Sequence, residues 1–166
     1  MKMDLIQPFV NAVDSVIAEI MGCQAQITDV TMAAAAHRPN SVAALVSFNG
    51  GIEGRAILDM DQPAAQRAVN YLLGDEVTSP DDSSREAVCE VTNMIIGNAV
   101  TQLNDRGFEF KVYPPEIHAS GEGIQNSTDT EALVLCFETP HGSVLLNIAL
   151  QYNFRRSGDA TALSLV

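Results

Sequence analysis

The sequence predicts an α+β fold: an antiparallel sheet with packed helices and an approximate internal α-β-β-β repeat. Three observations carry that prediction. Residues 41–60 and 131–152 each read as a β-hairpin, two β-prone runs joined by turn residues. Residues from about 3 to 21 and 85 to 107 repeat apolar side chains at helical spacing. The elements run helix, strand, hairpin, and then helix, strand, hairpin again, with a short helix between the halves. That order lacks the strand–helix alternation of a doubly wound parallel sheet.

Each element has its own signals. In the first helix Leu5, Phe9, Val13, Val16, Ile17 and Ile20 recur every three or four residues, and Gly22 follows as a stop. Pro8 falls in the first turns, where proline is tolerated. Residues from about 24 to 34 alternate loosely and suggest a strand. In the first hairpin Asn49-Gly50 supplies the positive-φ pair that a tight turn needs. The intervening helix opens at Asp61, a good N-cap, and closes at Gly74. Residues 75–84 are polar and read as a connection, with Ser83 or Ser84 capping the long helix that starts at Arg85. Residues 108–121 read as a strand interrupted at Pro114-Pro115, hence an edge or a bulge. Residues 122–130 read as loop. Pro140, His141 and Gly142 mark the turn of the second hairpin. "ALVLCF" implies a central strand buried on both faces for part of its length.

The chain of 166 residues suits one domain, drawn over residues 1–156 with 157–166 as a loosely ordered tail. A formal net charge of −12, from 21 acidic and 9 basic residues, argues against nucleic acid or an anionic membrane as the main partner. A basic patch on a protein partner remains compatible. Cys23, Cys89 and Cys136 are scattered and odd in number, as buried thiols of a reducing compartment would be. His37, His118 and His141 are equally dispersed, so no metal site is expected. Asp4 interrupts the run a signal peptide would need, and no apolar stretch approaches a membrane span. A cytoplasmic protein is the expectation.

The stretch "REAVCEVTNMIIGNAVTQLNDRG" carries the chemistry. At 100° per residue, Glu86, Glu90, Asn93, Gly97, Thr101 and Asn104 fall within about 80° of one another. Val88, Val91, Ile95, Ile96, Ala99 and Leu103 line the other side, which argues an amphipathic helix packed on a core. Glycine inside a helix costs roughly 1 kcal/mol against alanine, so Gly97 suggests that something comes close to the helix there. Two readings fit. The stripe is a solvated face, with Gly97 admitting a neighbouring element of the same chain, or it is a docking face. Met94, at the rim, belongs either to the core or to that face.

"EVTNMIIGNAV", Glu90 to Val100, resembles the Glu-x-x-Asn helix of the CheX/CheC/FliY phosphatases of bacterial chemotaxis, and the Asn-Met-Ile-x-Gly-Asn-Ala run is closer to CheX than to CheC. The resemblance extends to the initial helix, the Gly-rich hairpin, Pro115 and the final hairpin. One position departs from the pattern: Glu86 stands where the broader family often carries Asp or Ser. The first helix has Asn11, but Pro8 stands three residues before it, so a single site is expected, as in CheX.

The resemblance implies a phosphatase acting on the aspartyl-phosphate of a CheY-like response regulator. Asparagine cannot be a general base, but its carboxamide can hold a water through one acceptor and two donors. In that reading Asn93 positions the hydrolytic water and Glu90 pairs with the regulator's active-site lysine. Glu86, Met94 and Gly97 contact the regulator. The chain needs no cofactor of its own, the Mg²⁺ being the regulator's. A homodimer paired through its sheets is also implied. The alternative is a non-catalytic adaptor, or a flagellar-switch-like scaffold, that binds the phosphorylated regulator.

Overall fold

The computed structural model describes residues 3–33, 36–37, 39–74, 80–119, 124–125 and 131–153. The elements follow in order as α1 (Met3–Met21), β1 (Gln26–Ala33), β2 (Ala36–His37), β3 (Val42–Gly50), β4 (Ile52–Met60), α2 (Gln62–Leu73), α3 (Pro80–Asp105), β5 (Phe110–Val112), β6 (Glu116–Ala119), β7 (Ile124–Gln125), β8 (Ala132–Thr139) and β9 (Gly142–Tyr152). The tail expected at 157–166 lies outside the described residues.

All ladders are antiparallel, as expected for α+β. The main sheet runs β1-β8-β9-β4-β3, and β5 and β6 share the far side of β3. The order shows how the repeat is built. The two hairpins meet at its centre, where β4 pairs with β9 from Ile52↔Tyr152 to Met60↔Val144. The lone strand of each half crosses to the hairpin of the other half: β1 pairs with β8, and β5 and β6 with β3. The short β2 and β7 pair with each other.

The helices cover one face. Val46 and Phe48 of β3, Ala56 and Leu58 of β4, Leu135 and Phe137 of β8, and Leu146 and Ile148 of β9 meet Phe9, Val13 and Ile17 of α1 and Val91, Ile95 and Leu103 of α3 in one buried cluster. Side chains of this size contribute about 1.5–3 kcal/mol each when fully buried. On the opposite face Arg55 ties β4 to β9. Its Nη1 donates to the Asn147 carbonyl at 3.0 Å and to Asn147 Oδ1 at 2.7 Å, and burial lowers the guanidinium pKa.

Three details differ from the sequence reading. Helix α3 begins at Pro80, so neither Ser83 nor Ser84 is its cap; both lie inside it, Ser83 buried. Proline suits a first turn because the N–H it lacks has no helical partner there. The first hairpin does not turn on Asn49-Gly50. Its ladder ends at Phe48↔Gly54, and the tip is divided between neighbours: Asn49 and Gly50 pair with β5, Ile52 and Glu53 with β9. Of the Asn49-Gly50 pair, only Gly50 takes a positive φ. Lastly, Ile124–Gln125, read as loop, forms β7.

The proline reading holds: β5 and β6 are an edge, split at Pro114-Pro115. Between Leu45↔Glu116 and Phe48↔Val112, three residues oppose two, which is a bulge. Pro8 leaves a mark of its own. Without its N–H, the Asp4 carbonyl lacks a helical donor, and Arg106 Nη1 fills the place at 2.8 Å. The Asp4 carboxylate accepts from the Tyr152 hydroxyl. The start of α1, the end of α3 and the end of β9 are thereby tied together.

Candidate functional site

Helix α3 is held at its C-terminal end and along its back. At the C-terminus the Phe108 N–H donates to the Leu103 carbonyl at 3.2 Å and the Gly107 N–H to the Asn104 carbonyl at 2.9 Å. With Gly107 at φ 88°, this is a Schellman cap. Helix α2 packs against α3 and is itself fixed by Asp61, as expected for its N-cap. One carboxylate oxygen accepts from the Ala64 N–H and the other from the Ser143 N–H of β9, each at 3.0 Å. Gly74 closes α2. Arg67 of α2 donates to the last carbonyls of α1, Ile20 and Met21. The site helix therefore rests on a braced layer rather than on loops.

Its outer face carries the predicted residues. Glu86, Glu90, Asn93 and Gly97 are all exposed, while Val88, Val91, Ile95, Ile96, Ala99 and Leu103 are buried. Among the described residues, Glu90 and Asn93 make no hydrogen bond or ion pair, so both polar ends face outward unspent. Residues three apart on a helix have Cβ atoms about 5–6 Å from each other. A single partner group can touch both.

Gly97 resolves one of the open alternatives. A Cβ built there meets nothing within 4 Å. The glycine therefore does not admit a neighbouring element of the described chain; it leaves the surface bare one turn beyond Asn93. Met94 is half-buried and packs against the core cluster, keeping part of its surface on the face. On α1, Pro8 is buried and the exposed Asn11 accepts from Gln7 at 2.8 Å. No carboxylate stands where a second Glu-x-x-Asn pair would need one.

Two threonine hydroxyls of α3 bond back along the helix. Thr92 donates to the Val88 carbonyl at 2.6 Å from the buried side, and Thr101 to the Gly97 carbonyl at 2.9 Å from the exposed side. The polar stripe does not include Thr92. The signal for it is a hydroxyl at a position where helical periodicity demands an apolar residue.

Residues 42–138, which include the whole site, match the model of the family described as chemotaxis phosphatase CheX. The chain belongs to this CheX family. A relative from Thermotoga maritima, named CheY-P phosphatase CheX, is 22% identical over 122 residues, covering 73% of this chain and 78% of that protein. The crystal structure of CheX from Desulfovibrio desulfuricans superposes with a TM-score of 0.78 at 26% identity, covering 89% of this chain and 99% of the other. CheX from Borrelia burgdorferi, solved as a CheX-CheY-BeF₃-Mg²⁺ complex, is 30% identical with a TM-score of 0.70, covering 90% and 99%. The family likeness thus spans both halves of the CheX-type sheet and the helix that carries Glu90 and Asn93. No helix among the described residues is long and apolar enough to cross a membrane.

Proposed function

We propose that this CheX-family chain removes the phosphoryl group from the active-site aspartate of a CheY-like response regulator, with Asn93 orienting the hydrolytic water. The observation that carries this reading is the exposed, unpartnered Glu90–Asn93 pair beside the bare surface at Gly97. Phosphoryl transfer is governed by alignment and electrostatics. A carboxamide held on a rigid helix supplies alignment without titrating. The Borrelia complex supports the choice of partner, since beryllofluoride stands in there for a phosphoryl group.

In the same reading Glu90 docks. Its carboxylate pairs with the lysine of the regulator's phosphorylation site, and Glu86, Met94 and Gly97 complete the contact surface. The Mg²⁺ that neutralises the phosphoryl oxygens comes with the regulator. Glu90→Ala should weaken binding of a beryllofluoride-loaded CheY-like regulator at least tenfold, the order expected for losing a charge-assisted contact at a docking site. Its melting temperature should stay within about 2 °C of the parent, as for an exposed helical substitution. Large loss of stability would make Glu90 structural and remove the docking role. The adaptor alternative is decided by the lifetime of the regulator's phosphate: binding without faster hydrolysis would establish it.

The homodimer belongs to this reading too, and the two sheet edges differ in fitness for it. The β5/β6 edge carries Lys111, Pro114, Pro115 and a bulge, which are devices that block edge pairing. The β1 edge has no lysine or proline, and its one irregularity lies near its start, between Ile27 and Asp29. It runs unbroken from Asp29 to Ala33 with Asp29 as its one charge, and exposes Ile27, Val30 and Met32. Antiparallel pairing of β1 with its copy satisfies a two-fold axis. Val30→Lys should convert a dimer in light scattering to the 17.8 kDa monomer. A variant that stays dimeric would move the interface elsewhere.

A further inference from the structure

We propose that Thr92 is a positioning residue: its buried hydroxyl sets the geometry of the helical turn that presents Glu90 and Asn93. The inference rests on the phosphatase reading above and extends it to a residue that never meets the regulator.

Packing alone does not ask for threonine here. Thr92 is 2% exposed, and the neighbouring buried positions of α3 are Ala87, Val88, Val91, Ile95, Ile96 and Ala99. Valine has the same branched shape, would bury a methyl in place of the hydroxyl, and carries no polar group into the core. What the hydroxyl adds is its bond to the Val88 carbonyl at 2.6 Å. In an α-helix that carbonyl already accepts the Thr92 N–H. A second donor on the same oxygen draws the carbonyl out of line and bends the helix locally.

The position of this bond matters. The Val88–Thr92 turn contains Glu90 and is followed directly by Asn93. A change in its curvature alters the angle between the two side chains, one of which docks while the other holds the water. The second back-bond, from Thr101 to the Gly97 carbonyl, lies beyond the motif and on the other side of the helix. The two bonds bracket the segment in which Glu90, Asn93 and Gly97 all lie. Local rules broken at a site, such as a hydroxyl in an apolar layer, are commonly broken for function.

The test sets stability against activity. Thr92→Val should melt at the same temperature as the parent or higher. Its kcat for dephosphorylating a CheY-like regulator should fall about tenfold, a modest share of what misalignment can cost. KM, and the affinity for the beryllofluoride-loaded regulator, should not change. Thr92→Ser keeps the hydroxyl and loses a methyl, so it should be less stable yet retain kcat within about twofold. A purely structural threonine predicts the reverse ordering. Parental kcat in Thr92→Val, or equal impairment in Thr92→Ser, would overturn the proposal while leaving the phosphatase reading intact. A parent protein that leaves the regulator's phosphate lifetime unchanged would remove both.

Discussion

Asn93→Ala is expected to lower the rate of regulator dephosphorylation on the order of 10²-fold or more, with no loss of binding or stability. The side chain is exposed and makes no hydrogen bond or ion pair with the described residues, so folding does not depend on it. In the proposed mechanism, binding rests on Glu90 and the bare surface around Gly97, and what is lost is the group that holds the attacking water in line with phosphorus. Asn93→Asp separates water-holding from bulk. It keeps the size, removes the amide donors and places a negative charge against an anionic phosphoryl group, so it should fail as well. Radiolabelled phosphate release at saturating regulator measures both variants. Parental activity in Asn93→Asp would mean that the water is held by another group.

The second large effect concerns folding. Gly54→Ala should destabilise the protein by roughly 3 kcal/mol or more, at the severe end of single substitutions. For a chain of this length that is a fall in Tm of about 6–12 °C. A Cβ at Gly54 would lie 2.0 Å from the Ala149 carbonyl oxygen and 3.1 Å from Leu150 Cα, both backbone atoms of β9. Its φ of 132° adds strain for any L side chain. Neither can relax without displacing β4 from β9, the central pairing of the sheet. Thermal unfolding followed by circular dichroism checks it, and a Tm within about 2 °C of the parent would show that the strands can part at that point.

Much of this architecture was legible in the chain because it is written in short-range chemistry. Apolar spacing marks α1 and α3, and Asp61 and Gly74 bound α2, since capping is decided within a few residues. The Glu90–Asn93–Gly97 stripe follows from helical geometry alone. Two departures at element ends have different causes, one local and one long-range. The polar run before Arg85 hid a helical start at Pro80, and Asn49-Gly50 lost its turn because β5 and β9 claim the hairpin tip. Other features are long-range and leave no periodic trace. The exchange of β1 and β5/β6 between halves is one. The open space at Gly97 is another, because a glycine in a stripe looks the same whether a neighbour or solvent faces it. The sequence reading passed over Thr92, whose hydroxyl in an apolar row was the one signal it left, and its bond to Val88 shows only in the fold.

The crossing of the lone strands also determines how the chain folds. Gln26 finds its partner Glu138 only across most of the length of the chain, so the first half cannot finish its sheet until β8 has emerged and found its place. Contacts of such sequence separation are late and slow to form. Neither half can serve as an independent folding unit, because each supplies the end strand of the other. The internal repeat, which resembles two small modules in sequence, therefore behaves as one cooperative body. Strain anywhere in the central β4–β9 seam is felt by both ends of the sheet and by the helix layer resting on it.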